Sequence, residues 1–260
     1  MRDEATVNYH IKSAAPQAFR FDVDGVVGNL VSPELAPTSV RVENVRDSAH
    51  APSFDKDSIM FEHHVSEVAD FESSSGWQTV YDAELTSLLR SELGAVEVIV
   101  FDHTIRVDDP AAARKPARNV HTDYSKAGAQ QRLIDLVGEQ RAETFRQGRY
   151  GFVNVWRPVE HTIKTSPLGF IRPSSVIPED WMTIDLIYPD RQGQILGVAA
   201  NANHDWFYLP DMTPDEVAIF SIYDNGGRPF LGHSALDMAE VDDVLMPRKS
   251  IESRTLVRYA

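Results

Sequence analysis

An α+β domain with a jelly-roll or sandwich core is the fold that these 260 residues predict, on three observations. Two segments between Trp77 and Gln147 carry apolar residues at helical spacing. From Gly148 onward the chain is a series of short apolar runs separated by turn residues, the pattern of many short strands. The apolar fraction of 42% against 25% charged residues is that of a soluble globular chain long enough to bury a sizeable core.

The elements follow in order. Residues 1–75 are punctuated by prolines at 16, 33, 37 and 52, and predict loops and short strands wrapping the main domain. Ser73-Ser74-Ser75-Gly76 predicts a turn. Val80, Leu85, Leu88, Leu89 and Leu93 mark a first helix, with Gly94 as its C-cap. Val96, Val98 and Val100 mark a strand. A second helix is expected over 126–147, its buried stripe Leu133, Ile134, Leu136 and Val137, ended by Gly148. Strands are then expected at 150–156, 168–171, 182–188, 195–200, 206–209, 217–223 and 255–259, separated by Pro167, Pro173, Gln192-Gly193, Pro210, Pro214 and Asn225-Gly226-Gly227. The whole of 1–260 is expected to be a single domain.

The net charge is −14, from 25 Lys and Arg against 39 Asp and Glu. Such a chain repels phosphate backbones and anionic bilayers, which argues against nucleic-acid and membrane partners. No run approaches the length of a membrane span, and the N-terminus lacks the pattern of a signal peptide, so a cytoplasmic protein is expected. Cysteine is absent, which removes disulfides, thiol catalysis and cysteine-ligated metals.

Nine histidines are the main chemical resource. His121-Thr122-Asp123 is an H-x-D triplet. On an extended segment residues i and i+2 point the same way, so the pair can grip one metal. Two histidines and one carboxylate make a facial triad that leaves positions open for substrate and oxygen on iron(II). Alone the triplet is weak, because a chain with this many His and Asp residues produces one readily by chance. A jelly-roll oxygenase also needs a distal histidine near the penultimate strand and a basic residue on the last strand, to pair the far carboxylate of a 2-oxo diacid. His233 supplies the first. Arg254 is the first choice for the second, with Arg248 as the alternative.

With these pieces in order, the chain resembles the iron(II)/2-oxoglutarate-type oxygenases that group with the cephamycin methoxylation protein CmcJ and the fungal AsaB-like hydroxylase/desaturases. The resemblance covers most of the chain. It rests on Gly94-Ala95, Phe101-Asp102-His103-Thr104 with Arg106, Val120-His121-Thr122-Asp123-Tyr124, Asn154-Val155-Trp156-Arg157-Pro158, Ser166-Pro167-Leu168, Trp206-Phe207-Tyr208, Pro210 to Val217, His233, and Pro247 to Glu252 with Arg254. It implies a double-stranded β-helix (jelly-roll, cupin-like) core with flanking helices. It implies that His121, Asp123 and His233 ligate Fe(II), that Arg254 or Arg248 binds 2-oxoglutarate, and that Asn154 and Trp156 lie near that cosubstrate. The implied reaction uses O2 and 2-oxoglutarate, releases succinate, and hydroxylates, desaturates or cyclises a small natural product at an unactivated C–H. Asp123 occupies the position that halogenating relatives leave open for halide, which argues against halogenation.

Two departures bear on the substrate. His204-Asp205 precedes the aromatic run where a basic residue is expected, and Gly169 to Ser174 lacks the expected Asp and Arg. Tyr124, Arg157, His204 and Trp206 are the candidates for substrate contact. Arg157, Arg172 and Arg228 are candidates to face a carboxylate, as an amino-acid-derived substrate would require. A homodimer is compatible with the sequence.

Blander readings apply elsewhere. His63-His64 predicts a surface loop, because adjacent side chains point apart. His103 predicts a structural or pocket residue near strand 96–101, since no G-x-S-x-G elbow supports a hydrolase. Asp108-Asp109 and Asp242-Asp243 predict solvated surface. Two rival functions remain open: a jelly-roll accessory protein without turnover, and a cupin-like metal enzyme that does not use 2-oxoglutarate.

Overall fold

The computed structural model describes residues 2–26, 29–46, 48, 51–72, 76–239 and 246–260. The expected turn at 73–75, His50 and the acidic pair Asp242-Asp243 lie outside them. In chain order the strands are β1 (Arg2–His10), β2 (Gln17–Phe21), β3 (Leu30–Val31), β4 (Leu35–Asn44), β5 (Ile59–His63), β6 (Ala95–Val107), β7 (His121–Thr122) and β8 (Tyr150–Pro158). Then come β9 (Leu168–Ile171), β10 (Trp181–Ile187), β11 (Gln192–Val198), β12 (Trp206–Tyr208), β13 (Glu216–Asp224), β14 (His233–Ala235), β15 (Asp237–Met238) and β16 (Lys249–Tyr259). The α-helices are α1 (Phe54–Asp57), α2 (Trp77–Leu93), α3 (Lys126–Val137) and α4 (Glu139–Arg146). The chain is mostly sheet with few helices.

The strands form two sheets. One has the order β15-β1-β4-β12-β9-β14-β7-β11-β10-β2-β3, the other β5-β13-β8-β16-β6. The central strand β8 is buried at all nine positions, because both its faces are covered. Phe152 and Trp156 point into the core with Phe170 and Phe207 of the opposite sheet and Phe220 and Leu256 of its own. Val153 and Val155 point outward and pack beneath α2. That helix turns Tyr81, Leu85, Leu88 and Leu89 onto the sheet, the i, i+4, i+7, i+8 stripe of an amphipathic helix. Gly94 ends it in the left-handed conformation that glycine adopts without cost.

Two expectations are corrected. The stretch 1–75 is not a wrap of loops and short strands, because β1 and β4 are long strands paired along nine consecutive residues. Ala5, Val7 and Tyr9 alternate with more exposed residues and are buried in one cluster with Val42, Ile171, Val198 and Trp206. Pro37 is tolerated within β4 because β12 pairs only with its far end, Val42 to Asn44, so the missing N–H interrupts no second ladder. The helix expected over 126–147 is two helices. Gly138, at φ 77° and ψ 158°, breaks the ladder between α3 and α4.

Candidate active site

His121 lies on β7, between β14 and β11, and its direct cross-strand partner on β14 is His233. Opposed residues of an antiparallel pair share a face, which sets the rings side by side with centroids 4.6 Å apart. Asp123 follows two residues after His121. Its Oδ1 lies 3.3 Å from His121 Nε2 and 3.7 Å from His233 Nε2. The ligand atoms of all three residues fall within 4.8 Å of one another.

The imidazoles are aimed by their other nitrogens. His121 Nδ1 donates to the Asn119 carbonyl at 2.7 Å, and His233 Nδ1 donates to the Leu231 carbonyl at 3.2 Å. A carbonyl can only accept, so Nδ1 carries a proton in each ring, and Nε2 is the nitrogen turned toward Asp123. Two imidazole Nε2 atoms and one carboxylate oxygen converging this way are the donor set of a facial triad, which suits a divalent transition metal such as iron(II).

The other carboxylate oxygen is occupied. Asp123 Oδ2 accepts from Asn154 Nδ2 at 2.9 Å and from Arg254 Nε at 3.2 Å. Arg254 also donates to Asp102 at 2.6 Å, to Thr104 at 3.3 Å, and to Glu252. Burial pulls the Arg254 pKa down, but Glu252, Asp123 and Asp102 outweigh it and hold it well above the ordinary value. Burial likewise raises the Asp123 pKa, and Arg254 with the two histidines outweighs it, so the carboxyl is held well below the usual range.

Arg248 is placed differently. It is 2% exposed and donates to the Ser166 carbonyl at 2.6 Å and to Ser250 Oγ at 3.2 Å. Its guanidinium lies over the Trp156 ring, 5.0 Å from the centroid. No carboxylate among the described residues pairs with it. Burial, with Arg106 nearby, pushes its pKa down to about 9. The indole N–H of Trp156 and Oδ1 of Asn154 are buried without a hydrogen-bond partner. A buried cation with no carboxylate in direct contact, beside an orphaned donor, is the environment that a bound polar anion would complete.

The structure sorts the remaining candidates. Tyr124 stands beside the site, its ring 5.0 Å from Phe152, and burial pushes its pKa up to about 12. Arg157 does not face the site. It alternates with Trp156, emerges beneath α2 over the Tyr81 ring, and donates to the His64 carbonyl. His204 and Trp206 are on the opposite face of the large sheet. His204 is held between Tyr9 Oη at 2.8 Å and Asp180 at 3.1 Å, and the Trp206 indole donates to Tyr9 Oη at 2.8 Å. On β12 it is Phe207 that points inward. Arg172 is engaged by Glu43, Asp205 and Asp57, and Arg228 by Asp55 and Asp224. Asp108 is not free surface, since Arg118 and Ser166 bind it. His103 bridges Ser253 at 2.8 Å and Asp82 at 2.9 Å, a tie between the sheet and α2.

Glu252, Asp102, Phe170 and Phe220 were not among the expected site residues. The ring centroids of Phe220 and Phe170 lie 5.1 and 6.3 Å from that of His233. Glu252 could have been found from the period-2 face that Ser250 and Arg254 share.

Comparison with known proteins gives the chain its family and relatives. Residues 7–258 match the model of the Oxidoreductase/YMDC permease-like domain family, and the chain belongs to that family. It is 29% identical over 248 residues to the hydroxylase/desaturase efuI of Hormonema carpetanum, covering 84% of this chain and 82% of the relative. It is 28% identical over 242 residues to the alpha-ketoglutarate-dependent dioxygenase phiK of a fungal species, covering 85% and 84%. Its fold is similar to that of the iron and alpha-ketoglutarate-dependent endoperoxidase NvfI, with a TM-score of 0.84 at 22% identity over 100% of this chain and 98% of that one.

Proposed function

We propose that this protein is a non-haem Fe(II)- and 2-oxoglutarate-dependent oxygenase that oxidises an unactivated C–H bond of a small metabolite, by hydroxylation, desaturation or oxidative cyclisation. The convergence of His121 Nε2, His233 Nε2 and Asp123 Oδ1 carries this reading. The relatives' names, a hydroxylase/desaturase and an alpha-ketoglutarate-dependent dioxygenase, support it. The sheet order supports it too. Strands β6, β16, β8 and β13 opposed to β7, β14, β9 and β12 are what a double-stranded β-helix in one domain would arrange in this interleaved order.

In this reading His121, Asp123 and His233 hold iron(II). Arg248 receives the distal carboxylate of 2-oxoglutarate, and the Trp156 N–H lies ready to donate to the same molecule. Arg248 is preferred to Arg254 because Arg254 is already satisfied by Asp102, Asp123 and Glu252. When bound, the metal and cosubstrate supply the oxidation, converting 2-oxoglutarate and O2 to succinate and CO2 with one oxygen atom left for the substrate. The chain's own residues bind, orient and exclude water. Phe170 and Phe220 pack against His233, and Tyr124 and Phe152 wall the interior beside Asp123. No helix among the described residues is long and apolar enough to cross a membrane.

The test is succinate release with Fe(II), 2-oxoglutarate and a panel of small natural products. Turnover is expected in the native protein and not in His121→Ala, Asp123→Ala or His233→Ala. Retained turnover in all three would contradict the assignment.

A further inference from the structure

Arg254 and Asn154 approach the same atom from different strands. Asn154 lies on β8 and Arg254 on β16, and the two are direct cross-strand partners. Both donate to Asp123 Oδ2, at 2.9 and 3.2 Å, while Oδ1 is the oxygen turned to the two imidazole nitrogens. Arg254 is itself locked by Asp102 on β6 and Glu252 on β16. Three adjacent strands of one sheet therefore reach across the interior and grip a carboxylate carried at the end of β7, on the opposite sheet.

We infer that Arg254 and Asn154 are positioning residues that withdraw Oδ2 of Asp123 from the metal, so that the carboxylate offers one oxygen rather than two. A carboxylate free to rotate can chelate through both oxygens, which consumes a coordination position. Two N–H donors on one oxygen, one of them from a guanidinium, oppose that rotation with charge-assisted hydrogen bonds. The position saved is one that cosubstrate and oxygen need. The inference rests on the triad being the metal site, and it takes Arg254 out of the cosubstrate-binding role that the last-strand position suggests.

The test is titration of the metal-free protein with Co(II) in the absence of 2-oxoglutarate, followed by the visible d–d bands and by competition with a chelator. Residues that orient metal ligands change metal affinity by about 10–100-fold when removed. Asn154→Ala and Arg254→Gln are each expected to change Co(II) affinity by that factor and to weaken the d–d bands, as a second coordinating oxygen of Asp123 would do. Arg254→Lys is expected to restore part of the native spectrum. Trp206→Phe, on the opposite face of the large sheet, is expected to bind Co(II) as the native protein does. Arg254→Gln leaves Asp102 and Glu252 without their arginine, so circular dichroism accompanies each titration; Asn154→Ala removes a neutral side chain and decides the matter if Arg254→Gln unfolds. Native-like Co(II) affinity and spectrum in folded Asn154→Ala would overturn the inference. If the native protein binds Co(II) no better than His233→Ala, the triad assignment fails instead and takes this inference with it.

Discussion

Replacing Arg248 by methionine should make the metal-free protein more stable. The guanidinium is buried, and no carboxylate among the described residues faces it directly. Its pKa falls from the ordinary arginine value to about 9. At ~1.4 kcal/mol per pH unit, keeping the charge at neutral pH costs roughly 5 kcal/mol. Methionine retains most of the apolar stem over Trp156 but leaves the Ser166 carbonyl without its donor, a loss of about 1–3 kcal/mol. The net gain is roughly 2–4 kcal/mol, and at about 2–4 °C per kcal/mol for a chain of this size Tm rises by at least about 4 °C. The burden is complete below the folded-state pKa and is relieved as pH rises through and beyond about 9. The difference between variant and native protein is therefore flat from pH 6 to 8 and narrows above about pH 9. The assay is calorimetry of both proteins with and without 2-oxoglutarate in the presence of Mn(II). The dicarboxylate should raise Tm of the native protein and leave Arg248→Met unmoved. A variant less stable than the native protein by more than about 1 kcal/mol would refute the reasoning, because Arg248 would then already have its counter-charge.

Further expectations concern residues outside the triad. Trp206→Phe loses the hydrogen bond to Tyr9 and should cost about 1–2 kcal/mol in denaturant titration, with kcat and KM unchanged because the residue faces away from the site. His10 is 1% exposed, and burial, with His121 nearby, lowers its pKa to about 4. Its folded form is neutral, so native stability should be full above about pH 6.5 and fall by at most roughly 3 kcal/mol as pH drops toward 4. His10→Phe should flatten that slope in urea titrations across the range. A Cβ at Gly197 would lie 2.5 Å from His10 Cδ2, on the strand that pairs with His121. Gly197→Ala should therefore cost about 1–3 kcal/mol and weaken Co(II) binding by shifting β11 against β7.

Much of the β-rich second half was legible because its punctuation is local. Helix α2 and strands β8, β9, β12 and β13 stand within a residue or two of the positions that periodicity and turn residues indicate. The convergence of His121 and Asp123 was legible because H-x-D on an extended segment fixes two side chains to one face, leaving only the distal histidine to be found. β4 was hidden by Pro37, whose harmlessness depends on which neighbour is missing, a tertiary fact. The facing of Trp206 was hidden because β12 has only three residues, and no period can be taken from so short a run. β1 then covers the outer face, which an alternation count cannot foresee. The different surroundings of Arg248 and Arg254 were illegible for a related reason. Both lie on the even-numbered inner face of the last strand's line, and only the carboxylates arriving from β6 and β7 distinguish them.

The central claim is tested most directly by anaerobic titration of the metal-free protein with Fe(II) and then 2-oxoglutarate, watching the weak visible charge-transfer band of a chelated 2-oxo acid. The band should form in the native protein, vanish in His233→Ala, and demand far more 2-oxoglutarate in Arg248→Met. Iron that binds at the triad without ever giving the band would contradict the account.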